Sequence, residues 1–253
     1  MRESRPCLFF VVSESSQFPA ATLAVVATPI GNLADISFRA IEILKAADVL
    51  LCEDTRHSKR LLDHYSIQVP TTSYGAHNLK TKLVWIVEQL ALGKRVALVS
   101  DAGTPGISDP GTLLVSAALQ AGYNVITIPG PAALIPALVL SGLRTDKFVF
   151  EGFLPHKKGR QTRLKLLATE PRTIVLYESV HRIQKTLSEL HEYLGNRKVA
   201  VCRELTKVYE EIVRGNLSDA IAHFEKHEPR GEFVVVVAGT DDSSHDDSDE
   251  SSF

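Results

Sequence analysis

The chain has little cysteine: Cys7, Cys52 and Cys202 lie far apart in 253 residues. None forms a C-x-x-C pair, so the sequence has neither a disulfide framework nor the ligand spacing of a zinc finger. No apolar run approaches the roughly 20 residues that a membrane-spanning helix needs. We therefore expect a reduced, cytoplasmic protein that does not contact a membrane.

The motifs of several common enzyme classes are also missing. The sequence contains no H-E-x-x-H, no clustered Cys/His ligand set and no G-x-S-x-G. It contains neither the phosphate-binding loop G-x-x-x-x-G-K-S/T nor the dinucleotide-binding G-x-G-x-x-G. These absences argue against zinc peptidases, serine hydrolases of the α/β class and P-loop enzymes, and we expect no metal site.

A strong excess of one charge is absent as well, because 28 Lys and Arg face 30 Asp and Glu, a net charge of −2. Residues 241–253 contain six of the acids and no Lys or Arg, so the remainder of the chain is net positive. Any contact with RNA would need a local basic patch. We expect 241–253 to be a disordered acidic tail and 1–21 to be a poorly ordered extension.

Three apolar segments, which we predict to be buried strands, each run into a loop rich in glycine and proline. The segments and their loops are Leu23–Ala27 with Thr28–Asp35, Arg95–Val99 with Ser100–Gly111, and Val125–Ile128 with Pro129–Ala133. Any one of them could be an ordinary strand-to-helix turn. Three such loops favour one shared ligand pocket, because open α/β sheets bind ligands at the carboxyl ends of their strands.

The order of elements predicts an α/β protein with two domains. Alternating strands and helices in residues 22–143 indicate a mostly parallel sheet with helices on both faces, and Asp35 is predicted to cap its first helix. Residues 144–240 are predicted to form a second α/β domain. Its neighbouring strands Val199–Arg203 and Val208–Arg214 have a short link, which indicates a mixed sheet with antiparallel pairs.

Seven motifs in a fixed order carry a family resemblance: TPIGNLADIS, CEDTR, LVSDAGTPGISDPG, PGPAA, FEGFLPHKKGR, YESVHR and RELTK. Over roughly Thr22–Gly239 the chain resembles the ribosomal RNA small subunit methyltransferases I, within the tetrapyrrole methylase superfamily. The resemblance implies a tetrapyrrole-methylase-like fold with S-adenosylmethionine in the cleft between two domains. It also implies methyl transfer to the ribose 2′-hydroxyl of a cytidine in the decoding region of 16S rRNA, within the small ribosomal subunit, and a homodimer.

The same resemblance assigns cofactor contacts to the three loops. Tyr177, at a strand end of the second domain, could close the pocket from the other side, and a plain strand end is the alternative. The residues are Thr28, Pro29, Gly31, Asn32, Ser100, Asp101, Ala102, Gly103, Thr104, Pro105, Pro129, Gly130, Pro131, Ala132 and Tyr177. Asp101 is the carboxylate expected to bind the cofactor, although it could instead cap its own turn. Ala132 stands where relatives commonly have serine, so a backbone contact is expected there.

Glu53, Asp54 and Arg56 follow the predicted strand that ends at Cys52. We predict that they act at the target ribose, because a 2′-hydroxyl is a poor nucleophile and a positioned base can take its proton. The alternative is a helix N-terminus with a local ion pair. Further candidates for the base are His77, His181, Glu178 and Glu204.

The segment His156–Lys165 contains five Lys and Arg and no acidic residue. A solvated helix face is the alternative, but the absence of neighbouring acids favours contact with phosphate groups. The predicted RNA-binding residues are Lys157, Lys158, Arg160, Arg163, Arg182 and Lys207.

Two other functions fit part of the pattern. The first is a methyltransferase that acts on a tetrapyrrole or another small molecule, which would have no use for Lys157 and Lys158. The second is a ribosome assembly factor that binds the cofactor without catalysis, which the departure at Ala132 mildly favours.

Overall fold

The computed structural model describes residues 18–75 and 78–241. The strands are β1 (Thr22–Val26), β2 (Val49–Cys52), β3 (Thr71–Ser73), β4 (Val96–Leu98), β5 (Asn124–Ile128), β6 (Phe148–Phe153), β7 (Thr173–Ser179), β8 (Lys198–Arg203), β9 (Glu211–Asn216) and β10 (Glu232–Val237). The helices are α1 (Phe38–Ala46), α2 (Thr55–His64), α3 (Leu79–Ala91), α4 (Gly111–Gln120), α5 (Leu134–Ser141), α6 (Arg160–Leu167), α7 (Ile183–Leu194) and α8 (Leu217–Lys226), with a short 3₁₀ helix at Leu33–Asp35. The predicted extension and acidic tail lie almost entirely outside the described residues.

The chain forms two compact units. The first comprises the described residues up to Thr28 together with Ile36–Gly130, and the second comprises Pro29–Asp35 together with the described chain from Pro131 onward. Each unit contains one five-stranded sheet. The α/β class and the division into one parallel and one mixed sheet are thus confirmed.

The sheet of the first unit is parallel throughout, in the order β3-β2-β4-β1-β5. Every residue of β1 is buried, as expected for a parallel strand that is covered on both faces. On one face, Leu23 and Val25 pack with apolar residues of α3 and α4 such as Ile86 and Leu114. The fully buried Tyr74, directly after β3, belongs to the same cluster.

The sheet of the second unit is mixed, in the order β6-β7-β10-β8-β9. Only β6 and β7 run parallel, and the other neighbours are antiparallel. The central strand β10 alternates between two cores, because successive side chains of a strand point to opposite faces. Phe233 and Val235 pack with α6, α7 and α8, whereas Val234 and Val236 pack with α5.

Helix α5 explains why the chain divides at Gly130–Pro131 and not after residue 143. Its apolar residues Leu134, Ala137 and Leu138 pack on the second sheet. The sequence pattern changes only after the helix, so the domain boundary predicted from that pattern falls on the wrong side of it.

None of the helices in residues 18–75 and 78–241 combines the length and apolar character that crossing a membrane requires. Within the same residues, no group of three or more His, Cys, Asp or Glu side chains is arranged to hold a metal ion. Cys52 and Cys202 are buried free thiols.

Candidate active site

The carboxyl edge of the parallel sheet carries most of the predicted site residues of the first unit. Because β4, β1 and β5 are adjacent and parallel, the segments that follow them begin side by side at one edge. These segments begin at Val99, Ala27 and Pro129. The topology therefore brings together the starts of all three loops that the sequence singled out.

Two of these loops are joined by a pair of backbone hydrogen bonds. The Thr28 amide donates to the Gly103 carbonyl at 2.9 Å, and the Gly103 amide donates back to the Thr28 carbonyl at 3.1 Å. Gly103 is buried and has a φ of 81°, a conformation that favours glycine. The glycine in this motif is therefore required by the backbone path that links the two loops.

The hydroxyl groups of this edge are used to hold the loops. Thr28 Oγ1 donates to the Ser100 carbonyl at 3.3 Å, and Ser100 Oγ lies 3.3 Å from the carbonyls of Ala102 and Gly103. Ala102 itself is exposed. Next to these two hydroxyls, the start of the loop can thus offer a ligand its backbone groups and the carboxylate of Asp101.

Glu53 and Asp101 connect the ends of β2 and β4 reciprocally. Glu53 Oε2 accepts the Asp101 amide at 2.9 Å, and Asp101 Oδ1 accepts the Asp54 amide at 3.0 Å. Among the described residues neither carboxylate takes part in an ion pair within 4.0 Å. The edge therefore holds two neighbouring carboxylates that hydrogen bonds position without neutralising them.

Burial raises the pKa of Glu53 above its usual range, and the charges of Asp109 and Asp101 raise it further. The buried Tyr74, whose hydroxyl donates to the Val99 carbonyl at 3.3 Å, also has a raised pKa, from burial first and then from the same carboxylates. The carboxyl edge is thus a region of concentrated negative charge. Perturbed titratable groups of this kind are typical of functional sites.

Asp54 and Arg56 form the local arrangement that was the alternative prediction. Asp54 caps α2 by accepting the Arg56 amide at 2.8 Å, and its carboxylate is paired with the Arg56 guanidinium at 2.7 Å. The hydrogen bond from the Arg56 side chain lowers the pKa of Asp54 to about 2. Such a carboxylate is a weak proton acceptor, so Glu53 is the best base among the three predicted catalytic residues.

The PGPAA loop is divided between the units. Gly130 lies against Ala27, since a Cβ at position 130 would come within 2.9 Å of the Ala27 Cβ. In the second unit, the Tyr177 hydroxyl accepts the Leu134 amide at 3.2 Å at the start of α5, just after Ala132. Burial raises the pKa of Tyr177, so its hydroxyl stays neutral. Tyr177 therefore holds the segment that contains Ala132.

Segment Pro29–Asp35 packs on the loop that follows β8. A Cβ at Gly31 would overlap Cγ of Lys207 and lie 2.8 Å from Oγ1 of Thr206, so only glycine fits. Asn32 uses its side-chain oxygen to accept the Ala34 amide at 3.1 Å. The first and last motifs of the sequence therefore meet within the second unit.

Arg160, predicted to bind RNA, is only 5% exposed. Its guanidinium donates to Glu189 at 2.8 Å, to the Thr186 hydroxyl at 2.8 Å and to the Pro155 carbonyl at 3.1 Å. The guanidinium is buried and bonded to three partners inside the unit, so Arg160 does not present its charge to RNA. The sequence around Arg160 does not indicate this burial, because Glu189 and Thr186 lie on α7.

Arg182 and Glu178 belong to the same internal network. Glu178 is 2% exposed and accepts from Arg182 Nε at 2.7 Å, from Thr186 Oγ1 at 2.7 Å and from the Ser179 amide at 2.8 Å. Arg182 also donates to the Leu154 carbonyl at 3.1 Å. A carboxylate bound by three donors is a poor base, which argues against Glu178 in that role.

The other predicted RNA-binding residues differ in exposure. Arg163 pairs with Glu151, and Lys207 bridges Glu204 and Glu232 at 2.9 Å each. Lys157 and Lys158 are exposed, and neither ammonium forms an ion pair with another described residue. Of the further base candidates, Glu204 is occupied by Lys207, His181 is exposed, and His77 lies outside the described residues.

Comparison with known proteins identifies the family to which the chain belongs. The sequence profile of the Tetrapyrrole (Corrin/Porphyrin) Methylases matches residues 22–221. The chain belongs to the tetrapyrrole methylase family. Among solved tetrapyrrole methylases, a cobalt precorrin-4 methyltransferase aligns with a TM-score of 0.66 and 18% identity over 90% of this chain and 98% of its own. A uroporphyrin-III-C-methyltransferase from Thermus thermophilus aligns with a TM-score of 0.62 and 19% identity over 85% of this chain and 94% of its own. These two structures show the shared fold.

Relatives with higher identity carry a different name, Ribosomal RNA small subunit methyltransferase I. The protein from Synechocystis sp. is 52% identical over 219 residues, which cover 86% of this chain and 78% of the relative. That from Thermotoga maritima is 47% identical over 217 residues, or 86% of this chain and 98% of the relative. That from Escherichia coli O157:H7 is 44% identical over 230 residues, or 89% and 80%. Within the tetrapyrrole methylases, the chain therefore falls in this branch.

Proposed function

We propose that this chain transfers a methyl group from S-adenosylmethionine to the ribose 2′-hydroxyl of a cytidine in the decoding region of 16S rRNA. The observation that carries the proposal is the 52% identity, over 86% of the chain, to a protein named for methylation of small-subunit ribosomal RNA. The two solved structures compared above, which are named for methyl transfer to uroporphyrin III and to cobalt precorrin-4, share 19% and 18% identity with this chain. The position on the ribose and the choice of cytidine rest on the seven-motif resemblance.

The residues of the carboxyl edge fit the proposed cofactor. S-adenosylmethionine supplies an electrophilic methyl group on a positively charged sulfur. Burial and the charges of Asp109 and Asp101 raise the pKa of Glu53, and a group of carboxylates without a paired cation among the described residues suits a cationic ligand. Exposed backbone at Ala102 and Pro129–Gly130 offers amides and carbonyls for close contact. Asp101 and these backbone groups would hold the cofactor.

Glu53 is the residue we assign as general base for the ribose hydroxyl. Its raised pKa brings it closer to the working pH than an ordinary carboxylate, which favours proton transfer in both directions. The Asp101 amide fixes one of its oxygens and leaves the other for the substrate. Asp54 and Arg56 act by fixing the start of α2, which positions Glu53.

Lys157 and Lys158 provide the proposed contacts with RNA phosphates. They lie in the short loop Leu154–Gly159, and its first two carbonyls accept hydrogen bonds from Arg182 and Arg160. The internal network thus fixes the loop on which both free lysines stand. Phosphate contacts of this kind position RNA without reading its sequence.

The proposal places the protein in the cytoplasm, acting as a homodimer on the small ribosomal subunit. The subunit is the substrate because a single cytidine is more readily selected by the shape of folded RNA than by phosphate contacts. Helix α5 exposes Ile135 and Val139 by 50% and 68%, which suits a surface between two copies.

The test uses small ribosomal subunits from cells that lack the gene. They are incubated with the protein and labelled S-adenosylmethionine, and rRNA fragments are mapped by mass spectrometry. We expect one 2′-O-methylcytidine in the decoding region, and none with the Glu53→Gln protein. Cofactor binding without rRNA methylation would overturn the proposal, and turnover of a corrinoid or porphyrinoid in a parallel reaction would identify a small-molecule enzyme.

A further inference from the structure

The loop between β8 and β9 is longer than the connection of two neighbouring antiparallel strands requires. Two to five residues commonly join such strands, whereas this loop spans residues 204–210. It also contains Val208 and Tyr209, which are 92% and 75% exposed. The extra length therefore holds an aromatic and an aliphatic side chain in solvent.

This loop is nevertheless firmly built. The Lys207 amide donates to the Glu204 carbonyl at 3.0 Å, and the Glu210 amide donates to the Lys207 carbonyl at 3.2 Å. The Glu210 carboxylate accepts a hydrogen bond from the Thr206 amide at 2.6 Å. The ammonium of Lys207 also ties the loop to Glu232 on β10. An exposed aromatic residue on such a loop does not result from local disorder.

The loop backbone is strained at two positions. Glu204 and Thr206 have φ values of 49° and 66°, in the left-handed region that side chains rarely adopt. The position is especially unfavourable for a β-branched residue such as Thr206. Its hydroxyl is also buried without a hydrogen-bond partner in the described part of the chain. Strain of this kind persists where the surrounding structure enforces it, often at ligand sites.

We propose that Tyr209 is a stacking platform for an RNA base next to the methylation target, with Val208 covering the base edge. This inference rests on the proposed function and extends it to a residue outside the carboxyl edge. A rigid, exposed tyrosine can stack on an unpaired base at little entropic cost, and folded RNA is recognised largely through such bases. The ion pairs of Arg203 and Lys207 leave the loop without a free cation to hold a phosphate, which favours contact with a neutral base.

The first experiment compares replacements of Tyr209 in methylation of small ribosomal subunits. Tyr209→Phe should keep kcat/KM near the wild-type value, whereas Tyr209→Ala and Tyr209→Leu should lower it by about 5- to 150-fold, the effect of losing one stacked base. Phe38→Ala removes another aromatic residue, 88% exposed on α1, and should have no effect. Cofactor affinity and thermal stability should be unchanged in every variant. Equal activity of the Phe, Leu and Ala proteins would overturn the proposal.

The second experiment identifies what Tyr209 touches. A photo-reactive phenylalanine analogue at position 209 is irradiated in the presence of small subunits, and cross-linked products are sequenced. A cross-link to an rRNA nucleotide is expected, and cross-links confined to ribosomal protein or to a second copy of the chain would overturn it. If wild-type protein methylates no rRNA, the proposed function fails. If it methylates rRNA but Tyr209→Ala does so equally well, only this inference fails.

Discussion

Two carboxylates, the half-buried Glu53 and the buried Glu178, have opposite surroundings in the two units. Glu178 in the second unit accepts hydrogen bonds from Arg182, Thr186 and a backbone amide. Glu53 in the first unit accepts one backbone amide and has Asp101 and Asp109 as its charged neighbours. A carboxylate that the fold pairs contributes to structure, whereas one placed among like charges destabilises the fold and indicates a functional role.

The largest expected effect comes from neutralising Glu53. If this residue is the base, Glu53→Gln should lower the single-turnover rate of methyl transfer by about 100- to 10,000-fold. The wild-type rate should rise with pH through the raised pKa of Glu53 and then level off, because the carboxylate must be deprotonated. Rates are measured across pH at saturating cofactor. An equal loss of rate in an Asp54→Asn protein would contradict the assignment of Glu53, and not Asp54, as the base.

Breaking the paired carboxylate should instead affect stability. Glu178→Ala would leave the largely buried guanidinium of Arg182 without its partner and should lower the free energy of unfolding by about 3–5 kcal/mol. Urea unfolding measures the loss. Glu170→Ala breaks the more exposed pair with Arg172 and should lower it by less than about 1 kcal/mol. Similar losses in the two variants would contradict the structural role of the network.

Removing the free lysines should affect RNA binding alone. Lys157→Ala with Lys158→Ala should weaken binding to small subunits by about tenfold and reduce the slope of log affinity against log salt by about 1–2. Lys226→Ala, which removes an exposed lysine from α8, serves as the control. An unchanged salt dependence in the double variant would place the RNA contact elsewhere.

The smallest effect concerns the stability of the first unit. Because the folded pKa of Glu53 is raised, its ionisation opposes folding, and stability falls as pH rises from its ordinary pKa through the raised one. A glutamine is neutral throughout, so Glu53→Gln should be more stable than wild type by about 0.5–1 kcal/mol at pH 7 and equal to it at pH 4. Thermal unfolding at the two pH values tests this, and a variant less stable than wild type at pH 7 would contradict it.

Local sequence patterns predicted the elements well where a continuous apolar run forms a buried strand. The apolar runs of β1, β4, β5 and β10 are strands, and the two sheet types follow from the spacing of elements. The first helix is capped by Ser37 and not by Asp35, because the 3₁₀ turn at Leu33–Asp35 delays its start. The prediction of Asp35 as the cap was wrong because the sequence alone does not show the 3₁₀ turn that ends at this residue.

The fate of the basic segment depended on contacts distant in sequence. Nothing near Arg160 indicates that it is buried, because Thr186 and Glu189 are 26 and 29 residues away. The exposure of Tyr209 was missed as well. The predicted strand Val208–Arg214 includes Tyr209, whereas β9 begins at Glu211 and leaves this residue in the preceding loop. Sequence motifs located these segments, but they did not distinguish the buried residues that fix a loop from the residues that the loop exposes to solvent.

The strand order of the second sheet has a consequence for synthesis of the chain. Its central strand, β10, is the last of the sheet to leave the ribosome, while the strands on either side of it are made earlier. Until residue 237 emerges, β7 and β8 each expose an unpaired edge. The first sheet needs no residue beyond 128, so the nascent chain can complete one unit while the other still awaits its middle strand.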